Sequence, residues 1–309
     1  MAHWVLLILS SASMLIAFPA SSLLSRLYYS GGGGSYWIIS WTAVAGWPIT
    51  TLLLVPLYAA TSTAAPSPLT FKLFLWYAAL GIISALDNLL FALAYAYLPA
   101  STASLLASSS LIFSAFFGWI IVKNKVNLSG LNAIIIITAA VVIIALDSRS
   151  DGLPGVSRGS LHGLIFALSE LVFVKELGRR SFHVVLEFQT MVSLTAFIVT
   201  TIGVVAKGDL QRMREEAASF EHGQLSYTMV LVWAAVSFQL GALGGTAVVY
   251  LASTVMAGIL NAVRVPLTSI AAVILFKDSM TGFKILSLII TGWGFVSYTL
   301  GHPSVGKTE

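Results

Sequence analysis

Apolar runs of about twenty residues recur along the whole chain, at roughly 4–25, 36–58, 72–97, 101–122, 128–146, 160–177, 184–206, 226–250, 252–276 and 282–300. The bilayer core needs about 20 mainly apolar residues at helical rise, so each run predicts a membrane helix. The breaks between runs carry turn chemistry. Gly31 to Gly34 form one link, Thr61 to Pro68 another, and Asp147 to Gly159 separate two halves. Leu98-Pro99 ends the third run, because proline lacks the N–H that would continue the ladder and biases the residue before it out of helical geometry. Lys207 to Gln224 are the one long polar segment, predicted as a solvated surface helix, with a headgroup-level amphipathic helix as the alternative.

The pattern also repeats. Tyr97-Leu98-Pro99-Ala100-Ser101-Thr102 is echoed by Tyr250-Leu251-Ala252-Ser253-Thr254. Each copy precedes an apolar run, a lysine (Lys123, Lys277) and a further apolar run. Residues 1–150 and 151–309 therefore each hold five spans, and an odd number sends the second half in from the opposite face. Inverted repeats are a transporter architecture that binds substrate near the midplane, where the repeats meet. The expected fold is an all-α polytopic membrane protein of about ten transmembrane helices, arranged as two inverted five-helix repeats.

Composition agrees. Of 309 residues 58% are hydrophobic and 9% charged, against roughly 25% charged in soluble domains, and mean hydropathy is +0.93. The absence of cysteine excludes a disulfide framework and any thiol-based metal or redox site. A formal charge of +4 suits basic loops and does not argue for nucleic acid. The first run has no basic n-region and reads as a retained signal-anchor helix. Lys and Arg divide almost evenly between the two sides, so charge bias sets no orientation.

Polar residues inside the runs mark the candidate site, because ionisable groups in hydrocarbon are costly and face the bundle interior. Gly81, Ser84, Asn88, Phe91 and Tyr95 recur at three- and four-residue spacing on one face of the third span, flanked by Asp87. Phe91 or Tyr95 suits stacking on a planar heterocycle, while Asn88 offers both a donor and an acceptor. Helix packing is the alternative role for such a face. Glu187 and Gln189 lie near one edge of the seventh span. Glu187 is a candidate proton carrier, since apolar surroundings favour the neutral acid, or else a headgroup-level residue. Gln239 precedes Gly241-Ala242-Leu243-Gly244-Gly245, which permits close helix approach or a break. Asn261, Arg264 and Thr268 share a face of the ninth span. Arg264 needs a carboxylate, with Asp87, Glu170 and Glu187 as candidates. Histidines avoid the span centres and show no metal-ligand spacing. No nucleophile–base pair, phosphate loop or ATP motif is present, so no enzyme, metal or cofactor is expected, and transport would draw on a gradient, with the proton as the default coupling ion.

Taken together, Arg26-Leu27-Tyr28-Tyr29, Gly46-Trp47-Pro48, Asp87-Asn88 with Tyr97 to Thr102, Val185-Leu186-Glu187-Phe188-Gln189, Phe238-Gln239-Leu240-Gly241 and Trp293-Gly294-Phe295-Val296-Ser297-Tyr298 resemble the plant purine permease family of the drug/metabolite transporter superfamily. Leu260 to Leu267 look like one branch of it. The resemblance implies ten helices and proton-coupled uptake of adenine-type purines and related heterocycles, including cytokinins. It places Asn88, Glu187, Gln189 and Gln239 at matching motif positions. It also favours the plasma membrane, with endoplasmic reticulum and vacuolar membranes as alternatives. Two departures stand out. Ser110 occupies a fourth-span position where many members carry Gln, and the sixth span looks shortened, barely long enough to cross.

The expected site thus comprises Asn88, Phe91, Tyr95, Ser110, Gln189, Gln239 and Asn261 for a small heterocyclic substrate, Glu187 or Asp87 for the proton, and Arg264 as an ion-pair member. Two rivals remain. One is a carrier of nucleotide sugars or organic phosphates, which needs paired intramembrane cations. The other is a non-transporting receptor-like or scaffold relative. Oligomeric state is not legible.

Overall fold

The computed structural model describes residues 2–60, 66–97, 110–123, 128–147, 154–178, 182–277 and 280–301. These residues are helical with short connections, and no strand occurs among them. In chain order the helices are α1 (Ala2–Ser30), α2 (Tyr36–Ala45), α3 (Trp47–Ala60), α4 (Phe71–Tyr97), α5 (Ser110–Phe117), α6 (Leu128–Asp147), α7 (Pro154–Val172), α8 (His183–Ala206), α9 (Asp209–Ser219), α10 (Gly223–Leu251), α11 (Thr254–Phe276) and α12 (Gly282–Gly301). Wider π turns extend α5 through Gly118–Val122 and α7 through Phe173–Leu177. The Leu98-Pro99 break, Ser101, Thr102, Ser104, Ser108 and Ser109 lie outside the described residues.

By length and composition, six segments among the described residues can cross a membrane: His3–Ser30, Tyr36–Ala59, Phe71–Tyr97, His183–Ala206, Gly223–Leu251 and Thr254–Phe276. The chain is an integral, multi-pass membrane protein. Its exposed Phe71, Trp119, Leu128, Ile202, Leu225, Ile274 and Leu300 fit a surface meant for lipid rather than water.

The second apolar run is two helices. Gly46 closes α2 and Pro48, which has no N–H to give, sits in the first turn of α3. A side chain at Gly46 would strike the Ala235 carbonyl at 2.6 Å, so α10 holds the break closely. The helix over the expected sixth span begins at Pro154, earlier than the apolar run suggests, with Pro at the first helical position. Its α-helical part alone is 19 residues, about 28 Å at 1.5 Å per residue.

The glycine-rich stretch of α10 is unbroken helix. Gly241 faces the Phe18 ring and Gly244 the Ser10 carbonyl, so these glycines let α1 and α10 approach closely. Ser13 adds a bond to the Leu240 carbonyl at 2.8 Å. The predicted solvated surface helix is instead anchored. Within α9, Asp209, Glu216 and Ala217 are buried. Glu216 Oε2 accepts from the Tyr28 hydroxyl at 2.5 Å and the Tyr227 hydroxyl at 3.2 Å, and Oε1 accepts the Gly34 N–H at 3.0 Å. Asp209 accepts from Ser35 at 2.6 Å. A charged helix that would otherwise lie on the surface thereby straps the link between α1 and α2.

The main core joins Met14, Phe18, Leu80, Phe166, Phe173, Val185, Phe188, Val248 and Leu260 from six helices. A second cluster, under α9, holds Tyr28, Ile38, Ile39, Ala92, Ala217, Phe220 and Tyr227. The candidate site lies where these two bodies meet.

Candidate functional site

A cavity opens among α1, α2, α4, α7, α10 and α11. Its aromatic wall is Phe18, Phe91, Tyr95 and Phe238, and its polar wall is Asp87, Asn88, His162 and Arg264, with serines of α1 between them. The space, mouth included, is about 470 Å³.

Asp87 and Asn88 reach the cavity because α4 turns both into the bundle; each is 3% exposed. Close packing steadies that helix, since a side chain at Gly81 would strike Thr195 of α8 at 2.5 Å. Tyr95 gives its hydroxyl to Ser22 at 2.8 Å and lies stacked with Phe91, centroids 6.3 Å apart. Tyr29 of α1 bonds the Ala92 carbonyl at 2.9 Å. Of the face expected on the third span, Asn88, Phe91 and Tyr95 line the cavity, while Gly81 packs against α8.

Asp87 Oδ2 lies 2.9 Å from His162 Nδ1 of α7. His162 was missed by sequence reasoning, which read the sixth span as short and histidine-poor at its centre. Its ring is edge-on to Phe166 at 4.7 Å and to Phe91 at 6.0 Å, which fixes its plane. Asp87 Oδ1, Asn88 Nδ2 and His162 Nε2 are buried and have no hydrogen-bond partner among the described residues. An orphaned buried polar atom costs roughly 1–3 kcal/mol, so three at one cavity wall need a ligand or water to answer them.

Arg264, 4% exposed, places its guanidinium 4.8 Å over the Phe18 ring and 6.0 Å from the Phe91 ring. This is cation–π geometry in a desolvated setting. Of the carboxylates weighed as its partners, Asp87 lines the same cavity. Asp87 meets His162. Glu170 accepts the Thr254 N–H at 2.7 Å, a carboxylate at the N-terminus of α11. Glu187 accepts from the Tyr58 hydroxyl at 3.1 Å and from the Ser67 N–H at 3.2 Å, away from the cavity lining.

The remaining candidates sit in two separate places. Gln189 and Gln239 belong to a buried network of α3, α8 and α10. Gln189 donates to Ser193 at 2.9 Å and accepts from Thr246 at 2.6 Å. Ser193 donates to Gln239 at 3.2 Å, and Gln239 donates to Thr50 at 3.4 Å. Asn261 donates to Ser110 at 2.5 Å where α11 crosses α5, both residues being fully buried. Gly258, one turn earlier, lets Ser114 approach. In this conformation the cavity therefore gathers Asp87, Asn88, Phe91, Tyr95 and Arg264. Gln189 and Gln239 hold helices together nearby, Ser110 and Asn261 join α5 to α11, and Glu187 binds the link before α4.

Among the described residues lining the cavity, Arg264 is the one Lys or Arg. The paired cations that a phosphate-bearing cargo needs are not assembled there. No group of His, Asp or Glu with metal-binding geometry occurs among the described residues.

A family model described as purine nucleobase transmembrane transport matches residues 5–308. Probable purine permease 5 of Arabidopsis thaliana is 64% identical over 98% of this chain and 87% of its own length. Probable purine permease 11 of the same plant is 34% identical over 96% and 82%. Purine permease 3, also from Arabidopsis thaliana, is 30% identical over 98% and 92%. A protein of solved crystal structure is similar in fold over 96% of this chain and 98% of its own, with a TM-score of 0.62 at 13% identity.

Proposed function

The chain belongs to the purine permease family, and on that premise we propose that it is a proton symporter carrying purine nucleobases and related planar heterocycles, cytokinins among them, by alternating access. The observation that carries the reading is the cavity wall itself. Asp87 Oδ1 is an acceptor, Asn88 Nδ2 a donor and His162 Nε2 either one; all three are buried and unanswered beside the Phe91 and Tyr95 rings. A purine offers the complement, with ring nitrogens and N–H groups on its edge and a π face for the aromatic side chains. Arg264 supplies positive charge in the same polar wall, without, among the described lining residues, the second cation that a phosphate would require.

Packing supports two inverted repeats. Let α1 correspond to α7, α2 with α3 to α8, α4 to α10, α5 to α11, and α6 to α12. Each principal contact then has its counterpart: α1 against α10 matches α7 against α4, and α7 against α5 matches α1 against α11. The α4–α8 contact matches that of α10 with α2 and α3, while α6–α12, α5–α11 and the α2–α8 contact correspond to themselves. Lys123 and Lys277, which end α5 and α11, are the non-glycine residues with positive φ among those described, at 61° and 55°. Equivalent helices thus end in the same rare left-handed turn. Such a pseudo-symmetric bundle gives alternating access a physical basis, because exchanging the two packings exchanges the open side.

On this reading Asn88 fixes the heterocycle edge and Phe91 and Tyr95 its plane. Asp87 or Glu187 takes the proton, and Gln189, Gln239, Ser110 and Asn261 sit at helix contacts that move against one another. The plasma membrane is the proposed location. Uptake of labelled adenine and a labelled cytokinin base by cells expressing the chain tests the proposal. Acid-stimulated, protonophore-sensitive uptake in which the two compounds compete supports it. A correctly localised protein that takes up neither overturns it.

A further inference from the structure

We propose that His162 is a positioning residue for Asp87: its Nδ1 holds carboxylate Oδ2 and leaves Oδ1 as the seat of the transported proton. The inference rests on the proton-symport reading above and deepens it, by choosing between the two carboxylates and adding a residue from the other half of the chain.

The choice follows from surroundings. Asp87 is the carboxylate that lines the cavity. Glu170 is committed to the N-terminus of α11, and Glu187 to Tyr58 and Ser67. The other groups around the pair are few. On α11, Arg264 lines the same cavity and lies over Phe18. On α4, Tyr95 bonds Ser22, and from α1 Arg26 reaches the Tyr95 carbonyl at 3.5 Å. From α2 and α10 come Ile39, Ala43 and Phe238, none titratable. α5 meets α7 at Gly163 through Phe113 and Ser114, and α8 meets α4 through Thr195.

Geometry gives the pair a direction. Nδ1 and Oδ2 at 2.9 Å make a contact in which the ring nitrogen donates to the carboxylate oxygen. The imidazole cannot swing away without leaving its edge contacts with Phe166 and Phe91. A proton arriving from the cavity therefore binds Oδ1, turns the carboxylate into a neutral acid and weakens the hold of α7 on α4. Its release on the other side restores the bond. One proton is bound and one released, and no bond of the substrate changes.

The experiment is adenine uptake across a pH series by the full chain in reconstituted vesicles. His162→Leu removes the donor that holds Oδ2, and the pH of half-maximal uptake moves upward by about one unit. His162→Asn, whose amide nitrogen falls where Nδ1 was, keeps the wild-type midpoint. A rate lowered equally at every pH, with the midpoint unmoved in His162→Leu, assigns the histidine to packing and overturns the proposal. If His162→Leu is lost from the membrane, His162→Gln replaces it. Its nitrogen falls nearer the Nε2 position, so its midpoint moves while that of His162→Asn does not, and equal midpoints overturn the proposal. Wild-type protein that moves no adenine at any pH refutes the transport reading itself, a result distinct from an unmoved midpoint.

Discussion

Gln189 and Gln239 are joined through one hydroxyl: Ser193 accepts the Gln189 amide at 2.9 Å and donates to the Gln239 carbonyl at 3.2 Å. Thr246 and Thr50 complete the chain at either end, so each glutamine uses its amide on protein partners. The network ties α8 to α10 and to α3 beside the cavity rather than in its wall. Replacing Gln239 by Leu takes the acceptor from the Ser193 hydroxyl, while Thr50 keeps the Trp47 carbonyl and the Thr190 hydroxyl, at a cost of about 1–2 kcal/mol. The expected outcome is a lower melting temperature of the detergent-solubilised protein, with substrate KM changed less than twofold in the fraction that folds.

Asn88 stands in the opposite position. Its Nδ2 has no partner among the described residues, so replacing it by Ala leaves no protein group stranded there. Asn88→Ala is expected to leave stability within about 0.5 kcal/mol, while raising the KM for adenine roughly tenfold, the worth of one or two hydrogen bonds. Transport kinetics beside a thermal melt separate the two effects.

The Arg264 guanidinium lies 4.8 Å over the Phe18 ring and 6.0 Å from the Phe91 ring. Lysine keeps the charge but not the planar fork that stacks on a ring. Arg264→Lys is expected to destabilise the protein by about 1–2 kcal/mol and Arg264→Leu to impair transport more than Arg264→Lys does. Equal transport by both variants would show that the charge is dispensable.

Glu216 gathers Tyr28, Tyr227 and the Gly34 N–H beneath α9, against the cluster that contains the cavity residues Ile39 and Ala92. Two tyrosine hydroxyls sharing one buried carboxylate oxygen make this strap sensitive to its charge. Glu216→Ala is expected to cost about 3 kcal/mol and to open the Gly31–Gly34 link to proteolysis, read as a new cleavage near residue 32.

The sequence made much of this arrangement legible, and the limits have physical causes. Asn88, Phe91 and Tyr95 are read from helical spacing, because one helix face is a local property. Arg264 is conspicuous because charge inside an apolar run is rare. His162 carries no such signal: it lies near the start of a helix whose apolar run begins late, and its partner is 75 positions away. The partners of Gln189 and Gln239 are hydroxyls, which are abundant in membrane helices, so nothing in their spacing tells a packing network from a ligand site. For α9 the charges of Asp209 and Glu216 suggested solvent; their burial depends on Tyr28, Ser35 and Tyr227, from helices distant in sequence.

The most direct test of proton-coupled purine transport uses purified protein in sealed vesicles with a buffered interior, an imposed pH difference and labelled adenine outside. With the exterior more acidic, adenine is expected to accumulate inside above its external concentration, to fall back to equality when a protonophore collapses the gradient, and to show no accumulation in Asp87→Asn. Adenine that only equilibrates, at the same level with and without the gradient, would contradict the account.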